Sequence, residues 1–269
     1  MKSKKLKKWT TLLTCATALT VMTACSQSSS QSTGTTSSTT SKTSAVTATT
    51  SKKTNKNNSN YFTSKDSDTS YNESSATKIK LSGSSADVSG DGAALSGSTV
   101  TISKAGTYVI SGKSDGVQIK VDAGDSDDVH IVLDGVTMTN TNAAINATKA
   151  GHVYLTLKDG TTNTLSDSSS NSDEDADAVI FSKGDLTING SGTLNIDAKK
   201  NNGIKANDSL HMTGGTYKIS SVGDAFNVND ELNITGTTMT IEAEEDAVKV
   251  DNDDDTSVGT MYLSDNTMT

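Results

Sequence analysis

The sequence contains no proline and no arginine, and its 269 residues include two cysteines and one tryptophan. Both cysteines lie within the first 25 residues. The rest of the chain therefore has neither a disulfide framework nor a cysteine-based zinc site. Apolar runs are short, and none reaches the roughly 20 residues that a membrane-spanning helix requires. Aromatic residues make up 4% of the chain, so few rings are available for a ligand to stack on.

Charges of the two signs are unevenly distributed along the chain. Residues 1–60 contain nine lysines and no acidic residue, so residues 61–269 carry 14 lysines against 32 acidic residues, a net charge of 14 − 32 = −18. This composition excludes nucleic acid as a partner, because phosphate binding requires clustered cations. A metal cation, or a polysaccharide bridged through one, suits such an acidic surface better.

Residues 1–24 are predicted to form a secretory signal peptide. Five lysines in residues 1–9 precede a mostly apolar stretch, and small residues lead to Cys25. Residues 22–25 resemble a bacterial lipobox, in which cleavage occurs before a cysteine that receives lipid. We therefore expect lipidation at Cys25 and a position on the extracellular surface of a bacterium, with the lipid anchor as the sole membrane contact. An ordinary signal peptide with an incidental cysteine is the alternative.

Residues 25–75 are expected to form a disordered tether. Of the 35 residues from 26 to 60, 21 are Ser or Thr and none is acidic. Such a stretch buries too little apolar area to offset the entropy of ordering. Ordered structure is expected from about Ala76. Strand-like runs in residues 76–128 fall outside the repeat described next, and they predict an N-terminal β cap.

From residue 129 to residue 269 the sequence repeats itself. Three segments, which begin at Asp185, Ser209 and Glu231, align almost without gaps. The turn residues Asp224 and Asp246 show the repeat length, which is 22 residues. Each copy contains three short runs of alternating apolar and polar residues, separated by Gly, Asn and Asp. This alternation is typical of β-strands with one buried face.

Three strands in each repeat predict an all-β fold, a right-handed parallel β-helix with rungs of about 22 residues. The predicted inward columns are Leu186, Leu210, Leu232 and Met261; Ile188, Met212, Ile234 and Leu263; Ile196, Ile219 and Ile241; and Ile204, Phe226 and Val248. A leucine-rich solenoid is the rival repeat fold, but no segment shows helical periodicity. Because residue 269 falls within a rung, we expect the chain to be truncated at its C-terminus.

Several segments resemble a known family. They are GTYVISG from Gly106, DLTINGSGTL from Asp185, the recurring Asp-Ala turns, and KVDNDDD from Lys249. These segments resemble bacterial surface carbohydrate-binding domains, which are right-handed β-helix proteins similar in fold to pectate lyases. The resemblance covers residues 76–269. It implies a module that binds cellulose-like or acidic, pectin-like polysaccharides, with calcium in the structure.

Acidic turns supply the candidate calcium ligands. If the aligned positions Asp177, Asn202, Asp224 and Asp246 stack, neighbouring carboxylates lie about 5 Å apart and repel by roughly 1 kcal/mol even in water. A bound cation would remove this repulsion, and calcium takes all-oxygen ligand sets. The candidate ligands are Asp173, Asp175, Asp177, Asp224, Asp246, Asp251, Asp253 and Asp254. No cluster matches an EF-hand loop, and a solvated acidic turn is the alternative for each.

A calcium-dependent lyase or hydrolase of uronate polymers is the first functional alternative. Lyases of this fold abstract a proton with arginine or lysine, and here Lys205 or Lys249 would have to serve. The signatures of β-helix hydrolases are absent, and His130, His152 and His211 are interpreted as structural. We therefore expect a non-catalytic module without catalytic residues. A structural adhesin or stalk that binds no glycan is the second alternative.

Overall fold

The structure, a computed structural model, describes residues 58–269. The predicted signal peptide at residues 1–24, the lipidation site Cys25 and the tether up to residue 57 lie outside the described residues. Two short 3₁₀ helices, Asn58–Asn60 and Ser64–Ser67, are the helical segments of the part described. None of the helices in this part is long and apolar enough to cross a membrane.

The strands are short because Gly, Asn and Asp interrupt each alternating run. In chain order they are β1 (Thr77–Gly83), β2 (Ser85–Ser89), β3 (Ala93–Ser96), β4 (Thr99–Ile102), β5 (Gly106–Asp115), β6 (Gln118–Asp122), β7 (Asp128–Thr139), β8 (Ile145–Lys149), β9 (His152–Leu157), β10 (Thr162–Ser166), β11 (Ala178–Ser182), β12 (Leu186–Gly190), β13 (Thr193–Ala198), β14 (Asn202–Ala206), β15 (Ser209–Thr213), β16 (Thr216–Ser221), β17 (Phe226–Val228), β18 (Glu231–Thr235), β19 (Thr238–Ala243), β20 (Lys249–Val250), β21 (Thr260–Ser264) and β22 (Thr267–Met268).

These strands form two sheets, whose neighbours are parallel except at the pairs β1–β2 and β3–β4. In the 14-stranded first sheet, β7 pairs with β9 through its first half and with β10 through its last three residues. One wing of this sheet continues as β9-β12-β15-β18-β21 and the other as β10-β13-β16-β19-β22. The 8-stranded second sheet runs β3-β4-β6-β8-β11-β14-β17-β20. From β8 onward, each repeat adds one strand to each wing and one to the second sheet.

The strand register confirms the alignment of the predicted columns, but their last members on β21, Met261 and Leu263, are exposed. Leu186 pairs with Leu210, and Leu210 pairs with Leu232. Ile204 pairs with Phe226 in the second sheet. All five side chains are at most 2% exposed. Burying a side chain of this size contributes about 1.5–3 kcal/mol. These columns are therefore the main source of stability inside the stack of parallel repeats, which we call the coil, each repeat being one coil.

The repeat length is less regular than the expected 22 residues. Leu210 pairs with Leu232 after 22 residues, whereas Leu186 pairs with Leu210 after 24 and Val153 pairs with Leu186 after 33. The longest of these repeats contains the polar insertion at residues 167–177. The paired strands therefore keep the register, and the connecting loops take up the differences in length.

Residues 76–128 differ from the expected cap. Strands β4 and β6 extend the second sheet in parallel, and β5 pairs with β7 along its whole length. Strands β2 and β3 depart from the repeat, since they pair antiparallel with β1 and β4. The coil thus begins well before residue 129, because β4, β5 and β6 carry the same inward alternation as the later strands.

Residues 58–75 contact the first sheet, although the sequence predicts a tether up to residue 75. Asp66 is 2% exposed, and Thr187 Oγ1 donates a hydrogen bond of 2.7 Å to its carboxylate. Thr213 Oγ1 donates to its backbone carbonyl oxygen at 2.6 Å. We call residues 61–73 the strap. Composition alone missed the strap because its hydrogen bonds to the sheet reach 121 and 147 positions along the chain.

Candidate functional site

One column of side chains lines the outer face of the second sheet. The strand register aligns Lys120, Asn146, Phe181, Lys205, Asn227 and Lys249. Their neighbours along each strand pack into the core, so alternation turns these six residues away from it. Amide and ammonium groups therefore lie on both sides of one aromatic ring. Such a column can donate and accept hydrogen bonds, whereas the Phe181 ring itself is buried.

The insertion at residues 167–177 is anchored next to this column. Asp167 is fully buried, and its carboxylate accepts hydrogen bonds from Lys199 N at 2.7 Å and from Asn171 Nδ2 at 3.2 Å. Burial raises the pKa of Asp167 above its usual value, and these hydrogen bonds oppose the rise. The first half of the insertion is therefore held by a buried polar contact with the loop that follows β13.

The second half of the insertion is held by a turn and by an apolar contact. Asp173 Oδ1 accepts hydrogen bonds from the backbone N–H groups of Asp175 and Ala176, at 3.2 and 3.0 Å. Such bonds are typical of Asp in tight turns. Ala176 then packs with Ala143 and Phe181 in a small buried cluster outside the main core. The Phe181 ring thus fixes the insertion against the outer face of the sheet.

A cleft of about 510 Å³ lies between the insertion and the outer column. Lys183 and Lys205 supply two ammonium groups to its lining, Asn146 and Asn207 supply two amides, and Phe181 supplies a ring. The side chain of Asn146 is buried, and its Oδ1 has no hydrogen-bond partner among residues 58–269. An unpaired buried amide oxygen is unfavourable, but this atom is closed to solvent, so it could pair with a ligand only if the lining around it moved.

Two of the predicted metal ligands line this cleft. Asp173 and Asp175 belong to its insertion wall, together with Glu174. One oxygen of Asp173 is engaged in the turn, whereas Asp175 is exposed. The wall therefore carries negative charge opposite the lysines.

Asp177 is engaged by side chains of its own fold. Lys205 Nζ lies 2.7 Å from its Oδ1, and the Nδ2 groups of Asn201 and Asn202 donate to its Oδ2. The register pairs Ala178, and not Asp177, with Asn202. The predicted alignment of Asp177 with Asn202 is therefore wrong by one residue, because the insertion shifts the start of the strand.

Asn202, Asp224 and Asp246 stack as predicted, but hydrogen bonds connect them. Asp224 N donates to Asn202 Oδ1 at 3.1 Å, and Asp246 N donates to Asp224 Oδ1 at 3.0 Å. Asn227 Nδ2 donates to Asp224 Oδ2 at 2.7 Å. Each carboxylate or amide oxygen thus meets the N–H of the next coil, and both oxygens of the buried Asp224 are already bonded.

The last acidic cluster lies beyond β20. Asp251 Oδ2 is 3.7 Å from Lys249 Nζ, and Asn252 Oδ1 accepts a hydrogen bond of 2.9 Å from Asp254 N. The side chains of Asp251, Asp253 and Asp254 are exposed, and none of them lines the cleft. The fold therefore keeps this cluster separate from the insertion.

The predicted calcium ligands are thus spread over several places. Across residues 58–269, no group of three or more His, Cys, Asp or Glu side chains is arranged to hold a metal ion. The donor oxygens of Asp177 and Asp224 are used within the protein. These two carboxylates do not fit a calcium centre in this arrangement, and calcium binding elsewhere on the acidic turns stays a prediction.

His152 and His211 lie on the β9 wing of the first sheet, and His130 lies on the neighbouring strand β7; each contacts a polar side chain. His130 Nε2 is 2.8 Å from Thr156 Oγ1, and His152 Nε2 is 2.9 Å from Thr187 Oγ1. His211 contacts the strap. Structural roles for the three histidines stay a prediction.

Sequence reasoning missed Asn146, Phe181 and Lys183 as site residues. Strand β11 reads as a continuous apolar run in which every side chain is buried. Period-two alternation cannot show which side chains of such a run face the core. The pairing of Phe181 with Lys205 shows it, because Lys205 is an outward residue of a clearly alternating strand. The polar insertion was the available signal, since it interrupts the repeat directly before β11.

The comparisons with known proteins agree with the predicted resemblance. The family model described as carbohydrate-binding domain-containing protein matches residues 96–269. The chain belongs to this family. The part matched as a carbohydrate-binding domain contains both the outer column and the cleft, whereas the strap precedes it.

Two relatives of this carbohydrate-binding domain illustrate the similarity. A carbohydrate-binding domain-containing protein of Acetivibrio thermocellus is 37% identical over 137 residues, which are 49% of this chain and 48% of that protein. The match thus spans about half of that relative. A solved structure, described as the polysaccharide lyase-like protein from C. thermocellum in a gadolinium derivative, is similar with a TM-score of 0.67 and 33% identity. That similarity covers 70% of this chain and 79% of the other.

Proposed function

We propose that this protein is a non-catalytic polysaccharide-binding module and that the cleft beside the insertion is its binding site. The observation that carries the proposal is that two lysines and the amides of Asn146 and Asn207 line one cleft. Sugar hydroxyl groups pair with amides, and the carboxylates of acidic sugars pair with ammonium groups. Membership of a carbohydrate-binding family supports the same assignment.

The ligand class is a cellulose-like or an acidic, pectin-like glycan. Lys183 and Lys205 favour acidic sugars, because charge-assisted hydrogen bonds to carboxylates are stronger than neutral ones. Asp173, Glu174 and Asp175 on the opposite wall repel carboxylates. A calcium ion that bridges this wall and a uronate would remove the repulsion, and calcium accepts oxygen ligands from both. We propose calcium in this bridging role or as a structural ion on other acidic turns.

The coil is proposed to be a right-handed parallel β-helix. Its three strands per repeat and parallel register support a helical path. Connections between parallel strands of one sheet are right-handed in nearly all proteins. The similarity to a polysaccharide lyase-like structure points in the same direction.

The location is proposed to be the outer surface of a bacterium, where a lipid on Cys25 anchors the chain. The lipobox-like residues 22–25 and the basic, then apolar, residues before them support this location. A protein so anchored would present its coil to polymers outside the cell.

A calcium-dependent lyase or hydrolase is the second candidate, favoured by the similarity to a lyase-like protein. Lys205, one of the two lysines available as a base, is paired with Asp177 at 2.7 Å. Proton abstraction by Lys205 would first require this ion pair to break. Unsaturated product from polygalacturonate, measured by its ultraviolet absorbance, would support the lyase and contradict the non-catalytic assignment.

The test is a pull-down of the full chain on insoluble cellulose and on polygalacturonate, each with calcium and with chelator. Lys183→Ala removes an exposed ammonium group from the cleft and leaves the ion pair between Lys205 and Asp177 intact. Lys218→Ala is the matched control, because Lys218 is an exposed lysine on β16, outside the cleft. Loss of a charge-assisted hydrogen bond should weaken binding to polygalacturonate roughly tenfold.

The outcomes separate the candidates. Binding that weakens in Lys183→Ala and not in Lys218→Ala supports the cleft. Binding that both variants retain places the site elsewhere. A folded protein that binds neither polymer with calcium present supports the alternative of a structural stalk. Loss of binding in chelator supports calcium, and unchanged binding in chelator contradicts its bridging role.

A further inference from the structure

A second face of the coil carries polar and aromatic side chains suited to a glycan, and the strap covers it. On the outer side of β7 and the β9 wing, the strand register aligns one column of side chains, which are His130, Tyr154, Thr187, His211, Asn233 and Tyr262. This column crosses successive coils in the same way as the column beside the cleft. It offers rings, hydroxyl groups and an amide along a straight line of parallel strands.

The strap places a carboxylate in the middle of this face. Asp66 Oδ1 accepts a hydrogen bond from Thr187 Oγ1 at 2.7 Å and lies 3.2 Å from His211 Nδ1. The second oxygen is held by Thr63 of the strap itself, through its N–H at 2.7 Å and its hydroxyl group at 2.9 Å. The β9 wing therefore contains a buried position that receives a carboxylate group.

Backbone carbonyl oxygens of the strap also accept hydrogen bonds from amide side chains of the face. Asn189 Nδ2 donates to the backbone oxygens of Asp66 and Asp68, at 3.2 and 3.1 Å. Asn233 Nδ2 donates to the backbone oxygen of Tyr61 at 2.9 Å. At the end of the column, the Tyr61 ring stacks on Tyr262 with 3.7 Å between ring centroids and 8° between planes.

The strap leaves one acceptor of this face without a partner. Asn233 is 1% exposed, and its Oδ1 has no hydrogen-bond partner within residues 58–269. A donor such as a hydroxyl group would complete it, but the backbone carbonyl groups of the strap cannot donate. The strap also precedes the region matched by the family, residues 96–269. The contacts of the strap therefore resemble those of a ligand bound to this face more than those of a strand that belongs to the sheet.

We propose that this face is a second glycan-binding site, specific for acidic polysaccharide, and that the strap is its intramolecular occupant. The Asp66 carboxylate occupies the position at which a uronate carboxylate would bind. The carbonyl oxygens beside it occupy the positions of sugar oxygens, and the Tyr61 ring occupies the position of a sugar ring packed on Tyr262. The inference rests on the proposed polysaccharide-binding function, but it uses a separate face. Binding at this face requires the strap to leave, so its apparent affinity is reduced by the fraction of molecules with the strap released.

The experiment measures hydrogen exchange of the strap amides in the full chain, with and without saturating polygalacturonate. Competition predicts faster exchange at residues 61–73 when the polymer is present, with unchanged exchange in the core strands. Unchanged or slower exchange of the strap in molecules that bind the polymer overturns the proposal. Because this measurement uses the unaltered protein, it does not depend on whether a variant folds.

A variant measures the effect on affinity. Asp66→Asn removes the carboxylate charge that the strap offers to His211, and it should raise the affinity for polygalacturonate about tenfold by increasing the released fraction. Asp91→Asn is the matched control, because it makes the same charge change at an exposed residue outside this face. Equal or weaker binding by a folded Asp66→Asn protein overturns the proposal.

The two proposals fail in different ways. If Lys183→Ala loses binding while the strap does not respond to polymer, the cleft stands and the second face is rejected. If the strap responds while Lys183→Ala binds normally, the second face stands and the cleft is rejected. If no form of the protein binds polygalacturonate, the second face is rejected. Binding to cellulose then decides whether the cleft is a binding site.

Discussion

The backbone N–H of Asp246 donates a 3.0 Å hydrogen bond to the carboxylate of Asp224, which occupies the same position one coil earlier. Asp224 N makes the equivalent bond to Asn202 Oδ1 at 3.1 Å. The acidic turn that the sequence offers as a calcium ligand is therefore part of a ladder that connects successive coils. At this position an oxygen acceptor, more than a negative charge, is what the fold requires.

Replacement of Asp224 should separate these two requirements. Asp224→Ala leaves the N–H of Asp246 and the amide of Asn227 without their acceptor, and loss of a buried partner costs about 1–3 kcal/mol. Asp224→Asn keeps one acceptor oxygen and should cost clearly less. Urea unfolding followed by circular dichroism measures both. Equal destabilisation by the two variants would show that the carboxylate charge itself is needed, as a bound cation would require.

Asn146→Ala should weaken glycan binding without lowering stability. The Oδ1 of Asn146 has no partner among the described residues, so its removal breaks no hydrogen bond of that atom. The thermal unfolding temperature should therefore stay within a few degrees of the parent value, whereas retention on polygalacturonate or cellulose should fall. A variant that unfolds early but binds normally would place Asn146 in the scaffold and not in the site.

Gly190→Ala should be far more damaging than Gly160→Ala. Both glycines have positive φ, 102° and 69°, so a side chain is strained at either position by roughly 1–2 kcal/mol. At Gly190 a Cβ atom would also overlap the carbonyl oxygen of Leu157 on the neighbouring strand, whereas at Gly160 no atom lies within 4 Å. Comparison of the urea midpoints tests this, and similar midpoints would mean that the strands can separate at little cost.

The strap should be held less firmly as the pH rises above neutral. Burial opposes protonation of His211, but the contact with Asp66 and the charges of Glu231 and Asp185 outweigh burial and raise its pKa above 6.5. Stabilisation from protonated His211 is therefore complete below 6.5 and is lost as the pH passes its raised pKa. Exchange of the strap amides, corrected for intrinsic rates, should become faster as the pH rises above 6.5.

At acidic pH the strap should be held less firmly as the pH falls. Burial alone would raise the pKa of Asp66, but its contacts with His211, Thr187 and Thr63 lower it well below 3.8. The stabilisation from ionised Asp66 is present above 3.8 and is lost as the pH falls through the lowered pKa. His211→Gln should remove the dependence above pH 6.5, and it should also shift the acid loss to higher pH, because the contact with His211 is the largest of those that lower the pKa of Asp66. If His211→Gln keeps the alkaline loss, groups other than His211 are responsible.

Much of the coil was predictable because the alternation of apolar and polar residues is a local property. The stacks of Leu210 on Leu232 and of Ile204 on Phe226 follow from the aligned repeats. Wherever strands alternate cleanly, spacing in the chain decides both the inward side and the partner. The stack of Asp224 and Asp246 was predictable for the same reason.

The sequence by itself determined the parallel coil and its inward columns, since a period of two residues and a repeat near 22 leave little freedom. The tertiary structure alone decided three features. It turned Phe181 outward from a wholly apolar strand, shifted Asp177 from its predicted partner, and laid Asp66 against Thr187. Each of these depends on contacts between segments whose separation is set by an insertion or by more than a hundred residues. Local periodicity contains no information about such contacts, whereas packing and buried hydrogen bonds select them in the folded chain.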